Sequence, residues 1–351
     1  MRSLSPVAKR RGKSLSLRMK YKDKVYGDFN ITEPVILELL NSPALKRIRG
    51  IDQGGYGPLC AMPYARPGQF GHHRLAHSIG VYLLLKKYGA SIEEQIAGLI
   101  HDVSHSAFSH CIDYIAKGGD GKKQNHQDNS HDGFIKKTDI PKILKKHGFN
   151  LRHILNDNNF PLKEKLLPDL CADRIDYSLR EAIIFKKITG AENRDLLNNL
   201  IVKNSRWVFK NLKLAKKFAR LFHMLNITYF ADIYSAIMFK TVSDCLKYAL
   251  RKKYITPDDL YTTDKLVIEK IKKYLKKDKH LNLLWQRMNG KIKVKQNREN
   301  YDAQIFCKSR IVDPLFMSGG KIKRLSEALP SWKKIVKQEL KPKEYFLKFE
   351  K

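Results

Sequence analysis

Apolar positions recur every three to four residues along much of the chain, and this spacing predicts amphipathic helices. The stretch ITEPVILELLNSPALKRIRG predicts two short helices, the second capped by Ser42 with Pro43 at its first position. Next, HSIGVYLLLKKYG predicts a helix, and SIEEQIAGLIHDVSH predicts another with Ser91 and Glu94 as a capping box. The adjacent pair His101–Asp102 is therefore expected at a helix end.

The second half of the chain repeats this helical spacing. The stretch Leu166–Lys187, LLPDLCADRIDYSLREAIIFKK, is the clearest helical pattern, with Pro168 at its start. DLLNNLIVKNSRWVFK is compatible with a short hairpin, the next 40 residues predict one or two long helices, and the rest predicts basic helices and loops. Because Leu, Lys, Ile and Ala are common and Gly and Pro number only 20 and 13, we predict an all-α fold.

Segments without this spacing suggest where the 351 residues divide. DQGGYGPLCAMPYARPGQFGHH is too rich in Gly and Pro for a regular element, and GGDGKKQNHQDNS predicts a polar loop. We therefore predict a disordered basic arm at residues 1–20, a core domain at 21–190, and a basic helical region at 191–351 that completes the core and its pocket.

Charge adds an expectation about partners. The formal net charge is +33, and residues 251–351 carry 27 basic against 12 acidic side chains. Such a field attracts polyanions, so nucleic acid bound through the basic termini is one reading, and solvated lysine-rich faces are the alternative. No apolar run reaches the roughly 20 residues that span a bilayer, and no signal sequence is recognisable, so we expect a cytoplasmic protein without a membrane partner.

The histidines concentrate in one part of the sequence. Eight of the 12 lie between positions 72 and 131: His72, His73, His77, His101, His105, His110, His126 and His131. A single histidine at a helix end is more often a cap than a ligand. Imidazoles together with carboxylates, however, are the ligand set of zinc and of other transition metals, so the cluster predicts a metal site.

Five stretches in a fixed order resemble one family: SPALKRIRGIDQGG, HHRLAHSIGVYLL, AGLIHDVSHSAFSHCID, SHDGFI and CADRIDYSLRE. Between about residues 24 and 185 the chain resembles the HD-domain phosphohydrolases, and among them the deoxynucleoside-triphosphate triphosphohydrolases. The resemblance implies a helical HD core and an enzyme that hydrolyses dNTP to deoxynucleoside and triphosphate. It also implies a divalent transition metal, namely Mn, Fe, Ni, Co or Zn, with Mg as an alternative.

The resemblance also implies roles for particular residues. It implies the metal ligands His77, His101, Asp102 and Asp173. It implies catalytic roles for His105, His110, His131 and Asp113, with His110 as general acid and Asp113 as its orienting partner. A loop-closing hydrogen bond is the alternative for His131. Expected substrate contacts are Gln53, Arg74, Arg174, Tyr177 and Glu181.

The chain departs from the family pattern in ways that affect the substrate. Gly54 replaces a leucine that gates against a 2′ hydroxyl, and 231–233 is Ala-Asp-Ile where the family has triphosphate ligands. Lys186 and Lys187, or a basic segment from the C-terminal third, are the candidate replacements. A nuclease or phosphodiesterase, or a nucleoside monophosphate phosphatase, therefore stays open. Since VYGDFN replaces the family's DPIHG, nucleotide-driven assembly is doubtful, and a homo-oligomer is an open alternative.

Overall fold

Helices form most of this computed structural model, which describes residues 18–56, 72–115 and 120–350. Most of the predicted basic arm lies outside these ranges, but Met19 and Lys20 already belong to a strand, so the arm boundary at residue 20 is wrong. The helices of the first half are α1 (Pro34–Asn41), α2 (Pro43–Arg47), α3 (Arg74–Lys87), α4 (Ile92–Ile100), α5 (His126–Ile135), α6 (Ile140–Lys146), α7 (Leu151–Leu155) and α8 (Ala172–Ile184).

The C-terminal region is also largely helical. Its helices are α9 (Gly190–Asn198), α10 (Leu212–Leu225), α11 (Ile233–Arg251), α12 (Asp264–Lys272), α13 (Lys279–Met288), α14 (Leu325–Ala328) and α15 (Pro330–Glu339). A short π-helix, Asn226–Phe230, separates α10 from α11, so the predicted long helical stretch forms two α-helices. Asp232 caps α11 by accepting a hydrogen bond from the Ser235 backbone N–H. No helix in the described part of the chain is long and apolar enough to cross a membrane.

Three small antiparallel or mixed sheets accompany the helices in the described residues, so the purely all-α prediction is wrong. The strands are β1 (Met19–Asp23), β2 (Gly27–Ile31), β3 (Leu200–Lys203), β4 (Arg206–Phe209), β5 (Val294–Gln296), β6 (Ala303–Cys307), β7 (Leu315–Ser318), β8 (Lys321–Arg324) and β9 (Lys343–Phe349). They pair as β1-β2, β3-β4-β7-β8 and β5-β9-β6, and the β3-β4 pair is the hairpin that the sequence allowed. The sequence did not predict the other strands, several of which are rich in lysine, because apolar and polar positions alternate over too few residues in each of them.

Two helix starts differ from the prediction. Residues 166–171 are irregular apart from a turn at 167–168, and α8 begins only at Ala172, whose N–H donates to Leu162 O at 2.8 Å. The Pro168 carbonyl accepts from the distant Asp313 N–H at 2.8 Å, so contacts far along the chain hold this segment out of the helix. Conversely, α5 starts at His126, inside the segment expected to be a polar loop.

Two groups of buried apolar side chains build the interior. The first surrounds α3, α4 and α8 and extends to Trp207 and Phe222 from beyond residue 190. The second surrounds α11 and α13 and takes in Leu347 of β9. A cavity lies where the groups meet, because both α8 and α11 contribute to its wall. The C-terminal region thus faces the same space as the histidine cluster.

Candidate metal centre and active site

The four predicted metal ligands converge at the ends of three helices. His77 lies on α3, His101 and Asp102 follow the last residue of α4, and Asp173 lies in the first turn of α8. The His77 Nε2 atom is 2.8 Å from Asp173 Oδ1 and 3.2 Å from His101 Nε2. The His101 Nε2 atom is 3.4 Å from Asp102 Oδ1 and 3.5 Å from Asp173 Oδ1. His77, His101 and Asp173 therefore bring ligand atoms within 4.8 Å of one another, and Asp102 lies beside both imidazoles, with Oδ2 3.9 Å from His77 Nε2.

Both imidazoles are held with Nε2 toward these ligand atoms. The Nδ1 atom of His77 donates to Asp176 Oδ2 at 2.7 Å, and that of His101 donates to Gly98 O at 2.8 Å. Burial lowers the pKa of His77, but hydrogen bonds to Asp173 and Asp176 outweigh it and raise this pKa to about 10. Nitrogen ligands fixed in this way suit a divalent transition metal, which would replace the Nε2 proton.

Asp176 and Arg180, which the sequence analysis missed, support His77 from behind. Arg180 donates to both Asp176 oxygens, at 2.9 and 2.8 Å, and to Asp23 Oδ2 at 2.9 Å. All three charged side chains are at most 5% exposed. The signal in the sequence is the i, i+4 spacing of an acid and an arginine one turn beyond Asp173. The hairpin β1-β2 is thereby tied to the metal centre.

We expect Gly80→Ala to destabilise the protein by about 2–4 kcal/mol, because a methyl group there would collide with the buried Asp176 and Arg180 side chains. Thermal or urea unfolding measures the change. Gly133→Ala on α5 is the matched control: its added Cβ meets no atom within 4 Å, and alanine favours helix by up to about 1 kcal/mol. Equal stability of the two variants would contradict this account of the crossing between α3 and α8.

Arg174 lies beside this centre but does not line the cavity. Its guanidinium donates to Glu164 Oε1 and to Cys171 Sγ, each at 3.0 Å. Glu164, Cys171 and Asp173 could otherwise form a second cation site. Because the guanidinium lies against two of these three groups, we do not assign a second metal there. The predicted contact of Arg174 with substrate gains no support from this placement.

Arg74, also predicted to bind substrate, holds Asp102 in place. Its three nitrogens donate to Asp102 Oδ2 at 2.8 Å, Ser109 Oγ at 3.0 Å and Gln53 O at 3.1 Å. His105 Nε2 lies 3.3 Å from the other oxygen of Asp102. Burial and the Arg74 charge lower the pKa of His105 to about 3, so its imidazole is neutral.

His110 and Asp113 lie on the 3₁₀ turn Ser109–Tyr114 and face each other, with Nδ1 and Oδ2 3.3 Å apart. The other Asp113 oxygen accepts the His126 backbone N–H at 2.8 Å, which fixes the carboxylate. Burial lowers the pKa of His110, and Asp113 opposes this shift. His131, on α5, lies with Nε2 3.3 Å from Ile100 O, and its catalytic role stays a prediction.

A cavity of about 140 Å³ is lined by His110 but by none of the four predicted metal ligands. It adjoins the metal centre through Tyr177, whose ring centre lies 6.4 Å from that of His77. The predicted residues that line it are Gln53, Tyr177, Glu181 and His110. An apolar wall faces them, formed by Ile184, Phe185, Tyr229, Phe230, Met238 and Phe239. The wall also includes polar residues that were not predicted as site residues, among them His72, Gln124 and Arg310. No local pattern marks Arg310, which reaches the cavity from the far C-terminal region.

Several polar atoms at the cavity are buried without a hydrogen-bond partner among the described residues: Gln53 Oε1, His72 Nε2 and Tyr177 Oη. A buried polar group without a partner costs about 1–3 kcal/mol, which binding of a polar ligand can recover. Burial also raises the pKa of Glu181 to about 8, so its carboxyl is neutral near pH 7 and can donate a hydrogen bond. The cavity therefore suits a ligand with both hydroxyls and an aromatic ring.

The sequence is similar to one protein over most of its length and to others over about half of it. It is 35% identical over 297 residues, 84% of this chain and 88% of its relative, to the uncharacterised protein YdhJ of Bacillus subtilis. It is 36% identical over 181 residues to the metal-dependent phosphohydrolase cns2 of Cordyceps militaris, which covers 51% of this chain and 49% of cns2. The deoxynucleoside triphosphate triphosphohydrolase SAMHD1 of mouse matches at 28% identity over 44% of this chain and 27% of SAMHD1.

The chain also resembles a solved structure over nearly its whole length and a family model over its histidine-rich part. The phosphohydrolase BT4208 of Bacteroides thetaiotaomicron superposes with a TM-score of 0.70 at 18% identity, over 95% of this chain and all of that one, and thus shares the fold. The HD domain model matches residues 74–181, the span from Arg74 to Glu181 that holds the four converging ligands. The chain therefore belongs to the HD-domain family and has metal-dependent phosphohydrolases among its homologues.

Proposed function

We propose that the protein is a metal-dependent phosphohydrolase acting on a nucleotide, and that it converts dNTP to deoxynucleoside and triphosphate. The carrying observation is that the His/Asp centre adjoins a cavity with an aromatic wall and unpartnered polar atoms. The relationship to cns2 supports the reaction class, and the partial match to SAMHD1 supports the substrate.

Each element of the site has a task in this proposal. His77, His101, Asp102 and Asp173 would hold a divalent transition metal, which when bound supplies Lewis-acid activation of a phosphoryl oxygen and of water. Arg74 and His105 keep Asp102 ionised and oriented by contacting both of its oxygens.

The remaining groups act on the substrate itself. His110 would donate a proton to the leaving oxygen, oriented by Asp113. The negative charge of a bound phosphate raises the pKa of His110, which favours this protonated form. Gln53 and Tyr177 would bind the sugar hydroxyls through their unpartnered atoms, and the aromatic wall would stack the base.

Product analysis tests the proposal. Manganese-loaded protein is incubated with dNTPs, NTPs, nucleoside monophosphates and labelled single strands, and the products are separated by ion exchange. Deoxynucleoside and triphosphate appearing together support the dNTP reaction. Inorganic phosphate from monophosphates, or cleaved strands, would instead favour the monophosphatase or nuclease alternatives. A polyanion partner at the basic termini, homo-oligomer formation and a cytoplasmic location stay predictions.

The neutral Glu181 predicts a pH effect on stability. Its pKa in the folded protein, about 8, lies above the ordinary 4.5, so its contribution is complete below pH 4.5 and is lost as pH rises through 8. We expect the free energy of unfolding of Glu181→Gln to rise relative to wild type between pH 5 and 9. Urea unfolding at both pH values measures this, with Glu299→Gln at an exposed site as the control. A constant difference would contradict a protonated Glu181.

A further inference from the structure

The connector between β6 and β7, residues 308–310, is fixed by a buried polar network. The Asn226 amide donates to Ser309 Oγ at 2.9 Å and to Glu339 Oε2 at 3.1 Å. The Arg310 backbone N–H donates to Asn226 Oδ1 at 2.9 Å. Asn226 begins the short π-helix that carries Tyr229 and Phe230 of the cavity wall. The connector and the wall are therefore positioned together.

This connector carries two cations, of which Arg310 lines the cavity and Lys308 interacts electrostatically with Arg310 and with Asp113, the partner of His110. Arg310 lines the cavity, and its Nη2 atom donates to the neutral Gln124 Oε1 at 2.8 Å. Lys308 lies half-buried, and its backbone carbonyl accepts from Arg310 Nη1 at 3.3 Å. Among the described residues, neither side chain forms an ion pair. Burial and the Arg310 charge lower the pKa of Lys308 to about 8, and Asp128 opposes this shift.

Placing two like charges in a partly buried position costs free energy unless an anion joins them. The helix α11, in contrast, begins at Ile233 after its cap Asp232, and no cation lies between Ala231 and Ser235. The charge that would bind an anionic substrate group is thus supplied by the connector. A planar guanidinium next to an ammonium group suits phosphate oxygens.

We propose that Lys308 and Arg310 form a phosphate-binding site, which binds the substrate phosphate groups that lie farther from the metal centre than the reacting one. The inference rests on the proposed function and narrows its substrate to nucleotides with more than one phosphate. No motif marks this site, since the connector lies over 130 residues beyond Asp173 in the sequence.

Binding of inorganic tripolyphosphate tests the site without turnover. Calorimetry is carried out on the chelator-treated full chain at pH 7, with wild type, Arg310→Gln, Lys308→Gln and Lys308→Arg. Each glutamine variant should bind about tenfold more weakly, because it loses one charge-assisted contact, whereas Lys308→Arg should retain affinity. Lys321→Gln, at an exposed position on β8, is the matched control and should bind as wild type does. Thermal unfolding confirms that each variant is folded.

Wild-type affinity in both glutamine variants would overturn the proposal. So would unchanged KM values for a dNTP, even if the protein hydrolyses dNTPs and the proposed function stands. If instead no nucleotide is hydrolysed but tripolyphosphate binding falls in both variants, the proposed function fails and the phosphate site is supported. Turnover of monophosphates with triphosphates left intact would overturn the restriction to polyphosphorylated substrates.

Discussion

Replacing His101 by glutamine is expected to lower hydrolysis by at least about a thousandfold and to remove the bound metal. The His101 Nε2 atom lies within 3.5 Å of His77, Asp102 and Asp173 ligand atoms, so no neighbouring side chain can replace it at the centre of the set. Metal content per protein, measured by plasma mass spectrometry, and turnover of the substrate found by product analysis should fall together.

The control for this variant is His153→Gln, because His153 is exposed on α7 and its imidazole contacts Asn159 and Phe160 rather than any of the four predicted ligands. It should retain metal and turnover. Near-normal turnover of His101→Gln with no metal bound would contradict the assigned centre. Asp102→Asn is preferable to Asp102→Ala as a second test, because asparagine keeps the volume and one acceptor oxygen for Arg74. Alanine would leave the buried guanidinium with neither charge nor acceptor there, at a cost of about 3–5 kcal/mol.

The second large effect is expected at His110. His110→Gln should lower kcat by about 10²–10⁴ while metal content stays at the wild-type level, because the residue contributes a proton and no ligand atom. Asp113→Asn keeps the shape but loses the charge that orients the imidazole at 3.3 Å, so it should show a smaller fall, about tenfold. Steady-state kinetics on the same substrate measure both.

The proton-transfer role has its own signature. In a p-nitrophenyl ester of the same phosphate, the leaving group is p-nitrophenolate, which departs without protonation. Hydrolysis of this ester should therefore be much less sensitive to His110→Gln than hydrolysis of the natural ester. Equal losses on both esters would assign His110 to binding or to the fold instead. A general acid must carry its proton to act, so wild-type turnover should also decline as pH rises. In the pH–rate profile of His110→Gln, this decline at high pH should be absent.

Local features of the sequence predicted helix ends and helix faces because these depend on neighbours along the chain, whereas the ligand set was implied by the resemblance to the HD-domain phosphohydrolases. The apolar run before His101 predicted that a helix ends at this position, and α4 does end at Ile100. Four-residue spacing on one helix face likewise placed Tyr177 and Glu181 together, and both line the cavity. Helical periodicity failed at Leu166–Cys171, where backbone bonds to Leu162 and Asp313 outweigh it.

The sequence by itself determined most of the helical core, the clustering of eight histidines between positions 72 and 131 and the excess of positive charge, and its resemblance to a family implied the metal ligands. Only the tertiary structure decided which cations face the cavity, because Arg310 reaches Gln124 across 186 positions of the chain. It also decided that Arg74 holds Asp102 and that Asp176 holds His77. Periodicity reports which face of an element is buried, whereas the partner of a buried polar group is set by contacts between elements that no local spacing encodes.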